Sequence, residues 1–137
     1  MELRVLDYKV EVLDESECRA LLVRQPVGRV GYITDDGKPM IVPVSFRVVD
    51  DFVVFRSDPG DKLSQMPMRQ VCFEADGQSV EIVWSVVVHG VARDVTTALG
   101  ERFERLREVS LPTFAQLRDP HWLAIEIQQI KGRRLSV

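Results

Sequence analysis

The stretch VEIVWSVVVHGVARDV, residues 80–95, decides the fold class of this chain. In a β-strand successive side chains point to opposite faces, and in the middle of this run both faces are largely apolar. We therefore expect both faces to be buried, because apolar surface is stabilised when it leaves water. The inside of a barrel would bury one face, and a partner subunit or a ligand is the simplest cover for the other. This run is the first indication of a homodimer.

The rest of the chain alternates between strand patterns and turn signals. Residues 38–48 show the clearest alternation of an apolar and a mixed face. Asp36-Gly37 is a hairpin signal, since glycine accepts a positive φ without strain, and another turn is expected at residues 77–79. The remaining predicted strands span residues 27–34, 52–57, 70–76 and 121–130. Six strands with few helices favour a mainly β protein with a closed or nearly closed barrel.

Three short helices are predicted between these strands. The first begins at Asp14, with Glu17 three residues later as in a capping box, and ends before Pro26. Its apolar face carries three residues at helical spacing: Cys18, Leu21 and Leu22. A second helix is expected over residues 61–66. A third is expected to begin at Thr96 or Thr97, with one apolar side. That side carries Leu99, Phe103 and Leu106.

Length, charge and cysteine content restrict the class of protein. With 137 residues the chain fits one domain, residues 1–137. The formal net charge of −3 offers no overall attraction for nucleic acid. No stretch approaches the ~20 apolar residues of a membrane span, and no apolar leader follows the first residues, so a cytoplasmic protein is expected. Two cysteines give no disulfide framework, and no His or Cys spacing indicates a metal site.

The loop FRSDPGDKL, residues 55–63, is the strongest candidate for binding chemistry. A strand ends there and a helix begins, and free N–H groups at the start of a helix favour an anion. Gly60 permits a close approach of a ligand, and Ser57 supplies a hydroxyl. Arg56 and Lys62 supply positive charge that could hold a phosphate monoester.

Two acidic residues of the same loop, Asp58 and Asp61, oppose an anion site unless they point away or cap the helix. On physical grounds alone, an ordinary capped helix with solvated charges is the simpler explanation. The loop is not a Walker loop, and no G-x-G-x-x-G sequence follows a strand.

Other polar or aromatic residues permit both a structural and a functional interpretation. Pro43 lies inside a strand pattern, which indicates a strand edge, a bulge or a ligand-facing position. Trp84 is of a type that usually belongs to the core, although its ring could stack on a flat ligand. His89 fits a packing role better than catalysis. Arg133 with Arg134 fits a solvated tail, although the pair could also hold an acidic cofactor. No nucleophile–base pair or carboxylate pair indicates a hydrolase.

Several segments, taken in order, resemble the pyridoxamine 5′-phosphate oxidase-like, FMN-binding split-barrel family, in particular its short actinobacterial-type members. The resemblance covers nearly all of the chain from Asp14 onward and depends on the ordered set rather than on any single motif. The matching segments are VGRV (27–30), DGKP (36–39), IVPVSF (41–46), VFRS (54–57), GDKL (60–63), VCFEAD (71–76), WSVVVHGVA (84–92) and GRR (132–134).

The resemblance implies a six-stranded antiparallel split β-barrel of Greek-key type, forming a homodimer with two FMN molecules at the subunit interface. It also implies which residues bind the cofactor. One strand segment would lie along the isoalloxazine: Ile41, Val42, Pro43 and Val44. The ribityl chain and the phosphate would be lined by Phe55, Arg56, Ser57, Lys62 and Leu63, with Lys62 pairing with the phosphate. Trp84 and Ser85 would reach the flavin, from the same chain or from the partner.

The chain departs from the family pattern at three places. Asp61 stands where relatives often carry a threonine before the lysine, which removes a hydroxyl and adds a negative charge. Val83-Trp84-Ser85 stands where relatives carry Gly-Trp-Ser. The chain ends soon after Arg134, whereas the authentic oxidase has a longer C-terminal segment with basic substrate-binding residues. True pyridoxamine phosphate oxidase activity is therefore not expected.

These features leave several functions open. The first is an FMN-dependent oxidoreductase acting on a small-molecule substrate, in which the protein positions and shields the flavin and no side chain need act as acid or base. A second is a reductase that uses the deazaflavin F420, whose acidic tail Arg133 and Arg134 could hold. The third is a non-enzymatic flavin or haem carrier or sensor, and the fourth is a dimeric module with an empty site.

Overall fold

A computed structural model of the chain describes residues 9–58, 60, 65–112 and 117–136. Seven strands and two helices lie in these ranges. In chain order they are β1 (Lys9–Leu13), α1 (Glu15–Leu22), β2 (Val27–Ile33), β3 (Pro39–Val49), β4 (Phe52–Ser57), β5 (Gln70–Gln78), β6 (Ile82–Asp94), α2 (Glu101–Leu106) and β7 (His121–Ser136).

One antiparallel sheet contains all seven strands, in the order β1-β7-β4-β3-β2-β5-β6, and β6 also pairs with β7. That last pairing closes the strands β2 to β7 into a ring of six, which confirms the mainly β, antiparallel split barrel predicted from the sequence. The seventh strand, β1, was not predicted. It pairs with the end of β7, from Leu13↔Gly132 to Lys9↔Ser136.

The ladder between β6 and β7 runs along the whole of β6, with one register shift between His89 and Gly90. At this bulge the two backbones approach closely. A Cβ atom on Gly90 would lie 1.9 Å from the backbone oxygen of Glu126. No side chain fits in that space, so the bulge depends on glycine.

The hydrophobic core lies inside the ring, where every second residue of each strand points. The residues of β6 that point inward are buried, and their neighbours are exposed or half-buried. Three fully buried phenylalanines from three different strands contribute to this core: Phe46, Phe55 and Phe73. A second, smaller cluster lies on the outer side of β4 and of the first half of β7, where Leu106 of α2 covers it. Its buried members are Phe52, Val54, Val95, Leu106 and Ala124.

Helix α1 begins as predicted and packs against β6 and β7. The Asp14 carboxylate accepts a hydrogen bond from Glu17 N at 2.8 Å, which satisfies one of the free N–H groups of the first turn. Cys18 and Leu22 are completely buried, and Leu21 packs against the same core. Neither of the two helices in the described ranges is long and apolar enough to cross a membrane.

Two strands are longer than predicted. β5 continues through Gly77 and Gln78, so the predicted turn at residues 77–79 is wrong, and the chain turns over residues 79–81 instead. Gly77 stays in the strand because it pairs with Trp84 and leaves room for the indole ring. β7 extends to Ser136 rather than ending at residue 130, because β1 and β6 supply partners on both of its edges.

The last helix begins later than predicted. It starts at Glu101, after Gly100 as its N-cap, and not at Thr96 or Thr97. The Thr96 hydroxyl instead donates to Asp94 at 2.6 Å and accepts from the backbone N–H of Trp122 at 2.9 Å. Leu99, expected on the apolar side of the helix, precedes it and is 90% exposed. The helix predicted over residues 61–66 lies largely outside the described residues.

β3 and β4 separate toward one end, which produces the split in the barrel. Their ladder begins at Phe46↔Phe55, whereas β3 continues back to Pro39 beside β2. Over residues 39–45, β2 is therefore the one sheet neighbour of β3 among the strands described. Pro43 lies in this stretch, and a proline fits a strand edge because it has no N–H group to donate.

We predict that Gly90→Ala destabilises the protein by about 3 kcal/mol or more, because the new methyl group would collide with backbone rather than with a movable side chain. Gly60→Ala is a matched control, since a Cβ atom there meets none of the described residues within 4 Å. Urea unfolding of the two variants measures the difference. Equal stabilities would show that the bulge adapts to a side chain.

Candidate functional site

Cross-strand partners share a face of the sheet, so the ladder registers sort the predicted site residues into two sets. The outward-pointing residues are Ile41, Pro43, Arg56 and Ser85. The inward-pointing residues are Val42, Val44, Phe55, Ser57 and Trp84, and all of these except the half-buried Val42 are buried. Side chains of the outward set are therefore available to a ligand on the outside of the barrel, whereas the inward set supports the strands from behind.

The outward residues of β3 lie beside the split. Ile41 is 70% exposed, and Pro43 is exposed as well. Because β4 has separated from β3 here, the backbone groups that point away from β2 have no partner strand in the described sheet. Such an edge offers hydrogen-bond donors and acceptors to a flat polar ligand.

Arg56 stands at the end of β4 and points outward, as Ile41 and Pro43 do. Its guanidinium carbon lies 4.5 Å from the ring centroid of Trp122, which is its partner on β7. The Nε atom of Arg56 is buried and has no hydrogen-bond partner among the described residues. A buried donor without an acceptor costs about 1–3 kcal/mol. An anion bound beside Arg56 would satisfy this donor and gain a charge-assisted hydrogen bond.

The Asp58 carboxylate, which counted against an anion site in the sequence, accepts hydrogen bonds from the residues before β7. Its two oxygens accept from Arg118 N at 3.1 Å and from Asp119 N at 2.9 Å. These bonds tie the end of β4 to the start of β7 and balance part of the negative charge with backbone N–H groups. Ser57 is 4% exposed, and its hydroxyl donates to the Asp58 carbonyl oxygen at 3.2 Å.

Trp84 and Ser85 lie far from Arg56 within one chain. The Trp84 indole is buried in the core against Gly77, where a Cβ atom would be 2.4 Å from its Nε1. Ser85 points outward, but β2 and β5 stand between its strand and β3. Three strand spacings of ~4.8 Å separate Ser85 from the Pro43 side, about 14 Å in all. A contact of Ser85 with a ligand on β3 would have to come from a second chain.

Lys62, Leu63 and Asp61 lie outside the described residues, so their predicted roles stay predictions. The described residues on either side of this loop are both anchored. Asp58 holds the segment before β7, and the Gln65 side chain accepts from Asp35 N at 2.8 Å.

A polar cluster beside Arg56 was missed in the sequence. His121 is the partner of Ser57 on β7, and its Nδ1 lies 2.9 Å from Asp94 Oδ2. The other Asp94 oxygen accepts from Thr96 N at 3.0 Å and from the Thr96 hydroxyl. Nothing in the local sequence pairs Asp94 with His121, which lies 27 residues later. The cluster exists because β6 and β7 are adjacent at this end of the barrel.

These contacts keep the Asp94 carboxylate ionised. Partial burial would raise the pKa of Asp94, but the hydrogen bonds from Thr96 and the neighbouring His121 outweigh it and lower the pKa below its usual 3.8. Asp94 therefore remains an acceptor at neutral pH, and it fixes the orientation of the His121 ring. Within the described part of the chain, no group of three or more His, Cys, Asp or Glu residues could hold a metal ion.

The two arginines near the end of β7 have different surroundings. Arg134 points toward α1, donates to the Glu11 carboxylate and lies 3.9 Å from a Glu17 oxygen. Its charge is thus balanced by two carboxylates of its own chain. Arg133 points to the opposite side and is exposed. The pair therefore does not form one basic patch.

We predict that Asp94→Asn destabilises the protein by about 1–3 kcal/mol at pH 7, because an amide cannot accept all three hydrogen bonds. Since the folded pKa is lowered, the carboxylate stabilises the protein above the unfolded pKa and loses this effect as the pH falls through the folded pKa. The difference between wild type and variant should therefore shrink below about pH 4. Urea unfolding across this range measures it, with Glu108→Gln, at an exposed position, as control. A pH-independent difference would contradict the assignment.

Comparison with known proteins identifies relatives over almost the whole chain. Residues 14–134 match the family model described as pyridoxamine 5′-phosphate oxidase. The FAD binding protein from Mycobacterium smegmatis has a structure with 35% sequence identity and a TM-score of 0.77, covering 92% of this chain and 98% of that protein. An FAD-binding protein from Mesorhizobium loti is 27% identical with a TM-score of 0.81, covering 96% and 100%.

A more distant structure shares the fold alone. It is the FAD and heme binding protein from Mycobacterium smegmatis, 21% identical, with a TM-score of 0.62 and a coverage of 90% of this chain and 71% of that one. None of the curated proteins matches this sequence. The match over residues 14–134, together with the split barrel, shows that the chain belongs to the pyridoxamine 5′-phosphate oxidase family.

Proposed function

We propose that this chain binds a flavin nucleotide beside the split of the barrel and acts with it as an oxidoreductase on a small-molecule substrate. The observation that carries the proposal is the buried Nε of Arg56 at the end of β4, which has no hydrogen-bond partner among the described residues. This cationic donor lies next to an exposed strand edge, in a family whose relatives include proteins named for flavin binding.

The residues present fit the two ends of a flavin nucleotide. Arg56 would pair with the phosphate that follows the ribityl chain, and its contact with Trp122 holds the guanidinium in place. Ile41 and Pro43 would contact the isoalloxazine, and the free backbone groups of β3 would bond its polar edge. Lys62 remains the second cation predicted for the phosphate. When bound, the flavin supplies the electron-transfer chemistry, and the chain positions it and excludes water.

FMN and FAD share the part of the molecule that these residues would hold. The resemblance of the sequence indicated FMN, whereas two relatives at 35% and 27% identity are named for FAD. The proposal therefore specifies the isoalloxazine, ribityl chain and first phosphate, and titration with both nucleotides distinguishes them.

The deazaflavin alternative is weakened by the position of Arg134. The acidic tail of F420 was expected to use Arg133 and Arg134 together, but Arg134 is paired with Glu11 and lies near Glu17. No described residue gives specific support to haem binding, and the relative named for haem shares the fold alone.

A homodimer forms part of the proposal. The outward face of β6 is apolar at Val83, Val87 and Val91, and nothing within the described chain covers it fully. Trp84 and Ser85 are too far from Arg56 to share a ligand with it in one chain, so Ser85 of a second copy would complete the site. A cytoplasmic location also remains a prediction. Both cysteines are free thiols in the structure.

We predict that Arg56→Gln weakens binding of FMN and FAD about 10- to 100-fold, because a charge-assisted hydrogen bond contributes about 1.5–3 kcal/mol. Riboflavin, which lacks the phosphate, should lose little affinity. Absorbance and fluorescence titrations measure the dissociation constants, and Lys62→Ala tests the second predicted cation in the same assay.

Arg24→Gln is the matched control, since Arg24 is exposed and lies before β2, away from the end of β4. An equal loss for riboflavin and FMN in the Arg56 variant would contradict the phosphate assignment. A wild-type protein that binds neither flavin would contradict the proposed function as a whole.

The oxidoreductase part of the proposal has its own test. The loaded protein is mixed anaerobically with NADPH or with reduced F420, and bleaching of the flavin band is followed. Reduction of the bound flavin by either donor supports the oxidoreductase. Bound flavin that resists both donors favours a carrier or sensor.

A further inference from the structure

Arg118 is a second cation beside the site, and Asp58 sets its position. It lies in the segment that leads into β7, and its backbone N–H donates to Asp58 Oδ2 at 3.1 Å. Because Asp58 follows Arg56 by two residues, this bond places the start of the Arg118 side chain beside the end of β4. Asp119 N donates to the other carboxylate oxygen at 2.9 Å. The two bonds together fix the segment that carries Arg118.

The Arg118 side chain has no acidic partner among the described residues. It is exposed, and it makes neither an ion pair nor a hydrogen bond with any of them. Arginines elsewhere on the surface are paired with carboxylates, as at Arg93 and Arg105. Arg118 is thus a cation that is held near Arg56 and that an external anion can reach.

Two carboxylates lie in the same region and limit how strongly it attracts an anion. The charge of Asp58 is partly balanced by the two backbone N–H groups that it accepts. The Asp119 side chain is 80% exposed, so water and salt screen its charge. An anion between Arg56 and Arg118 would meet two guanidinium groups directly and these carboxylates only in attenuated form.

The order of the strands gives a direction to a ligand that starts at the split. β4 lies between β3 and β7 in the sheet. A flavin with its isoalloxazine on the edge of β3 and its first phosphate at Arg56 would already have crossed from β3 to β4. The next element in the same direction is the segment before β7. A ligand that continues past the first phosphate would therefore arrive at Arg118.

A second phosphate is the group that suits this position. A planar guanidinium can donate two parallel hydrogen bonds to phosphate oxygens. In FAD a second phosphate is joined to the first through one bridging oxygen, whereas FMN ends at the first phosphate. Two arginines at neighbouring positions therefore match a diphosphate better than a phosphate monoester.

We propose that Arg118 binds the second phosphate of FAD and makes the site selective for FAD over FMN. Asp58 is the positioning residue, because it holds Arg118 through its backbone. This inference rests on the proposed function and specifies which flavin nucleotide the chain takes. Arg56 serves both nucleotides, since both carry the first phosphate.

The ratio of the FMN to the FAD dissociation constant tests this selectivity. The wild type should bind FAD more tightly, and Arg118→Gln should weaken FAD binding about tenfold, because a charge-assisted pair is lost. FMN binding should stay as in the wild type, because FMN has no second phosphate. Isothermal titration calorimetry measures both constants, and circular dichroism verifies that the variant is folded. Arg24→Gln, the control for Arg56, should leave both constants unchanged.

Asp58→Ala separates positioning from charge. Loss of this carboxylate removes a negative charge near the phosphates, which by itself would tighten the binding of both nucleotides. It also releases the segment of Arg118, which weakens only the contact with the second phosphate. Selectivity should therefore fall while FMN binds at least as tightly as in the wild type. The double variant Asp58→Ala/Arg118→Gln should be no less selective than Arg118→Gln alone. A variant with full selectivity would contradict the role of Asp58.

Equal affinities of the wild type for the two nucleotides, or a preference for FMN, would overturn the inference and leave flavin binding intact. An Arg118→Gln variant whose affinities for FMN and FAD fall together would also overturn it, because that pattern describes a general loss of positive charge. A wild-type protein that binds neither nucleotide contradicts the proposed function itself. One series of titrations thus distinguishes the two failures.

Discussion

The pairing of β6 with β7 is the constraint on which the rest of the structure depends. It turns an open sheet into a ring, and it does so along the whole length of β6. Closure requires the inward residues of both strands to stay inward, while the strands bend around the core. The shift at His89 and Gly90 provides the bend, and the contact of Gly90 with the Glu126 backbone shows how little space is available for it.

Closure also fixes which side chains a ligand or partner can reach. Once β6 is paired with β7, the pairing registers of β5, β2 and β3 follow in turn. In each strand every second residue then points to the outside. Ile41 and Pro43 are placed outward and Val42 and Val44 inward by the same rule that buries Trp84. The site near Arg56 thus depends on which residues of each strand point outward, and this is fixed by strands that meet only in the folded ring. A one-residue slip of the pairing would exchange the inward and the outward residues.

The sequence predicts those parts of the fold that depend on neighbours along the chain. The cap at Asp14, the strand β4 over residues 52–57 and the alternation of β3 and β6 are all local patterns, and the structure confirms them. Long-range pairing accounts for the errors. β1 and the end of β7 stabilise each other across more than a hundred residues, and Thr96 bonds to Trp122 instead of capping a helix. No local pattern carries that information.

The same distinction applies to the candidate site. The sequence predicts the loop after β4 and the basic character of Arg56, because a strand end, a glycine and cations follow one another in the chain. The ring of Trp122 against Arg56 and the cluster of Asp94 with His121 were not, because each joins residues brought together by the β4–β7 and β6–β7 ladders. Without those ladders Arg56 resembles any other surface charge, and the sequence does not show that its Nε is buried without a partner in the described part of the chain.

The outside of the barrel is covered unevenly, and this bears on where a ligand can bind. The second cluster, with Leu106 of α2, covers β4 and the first half of β7. That cover ends near Arg56. Beyond it the edge of β3 and the outward side of β6 remain, where apolar side chains such as Ile41 and Val83 are exposed. A fold that needed these surfaces only for stability would place polar, mutually paired residues there, as it does at Arg93, Arg102 and Glu126. The edge of β3 beside Arg56 is instead suited to a flat ligand at the split.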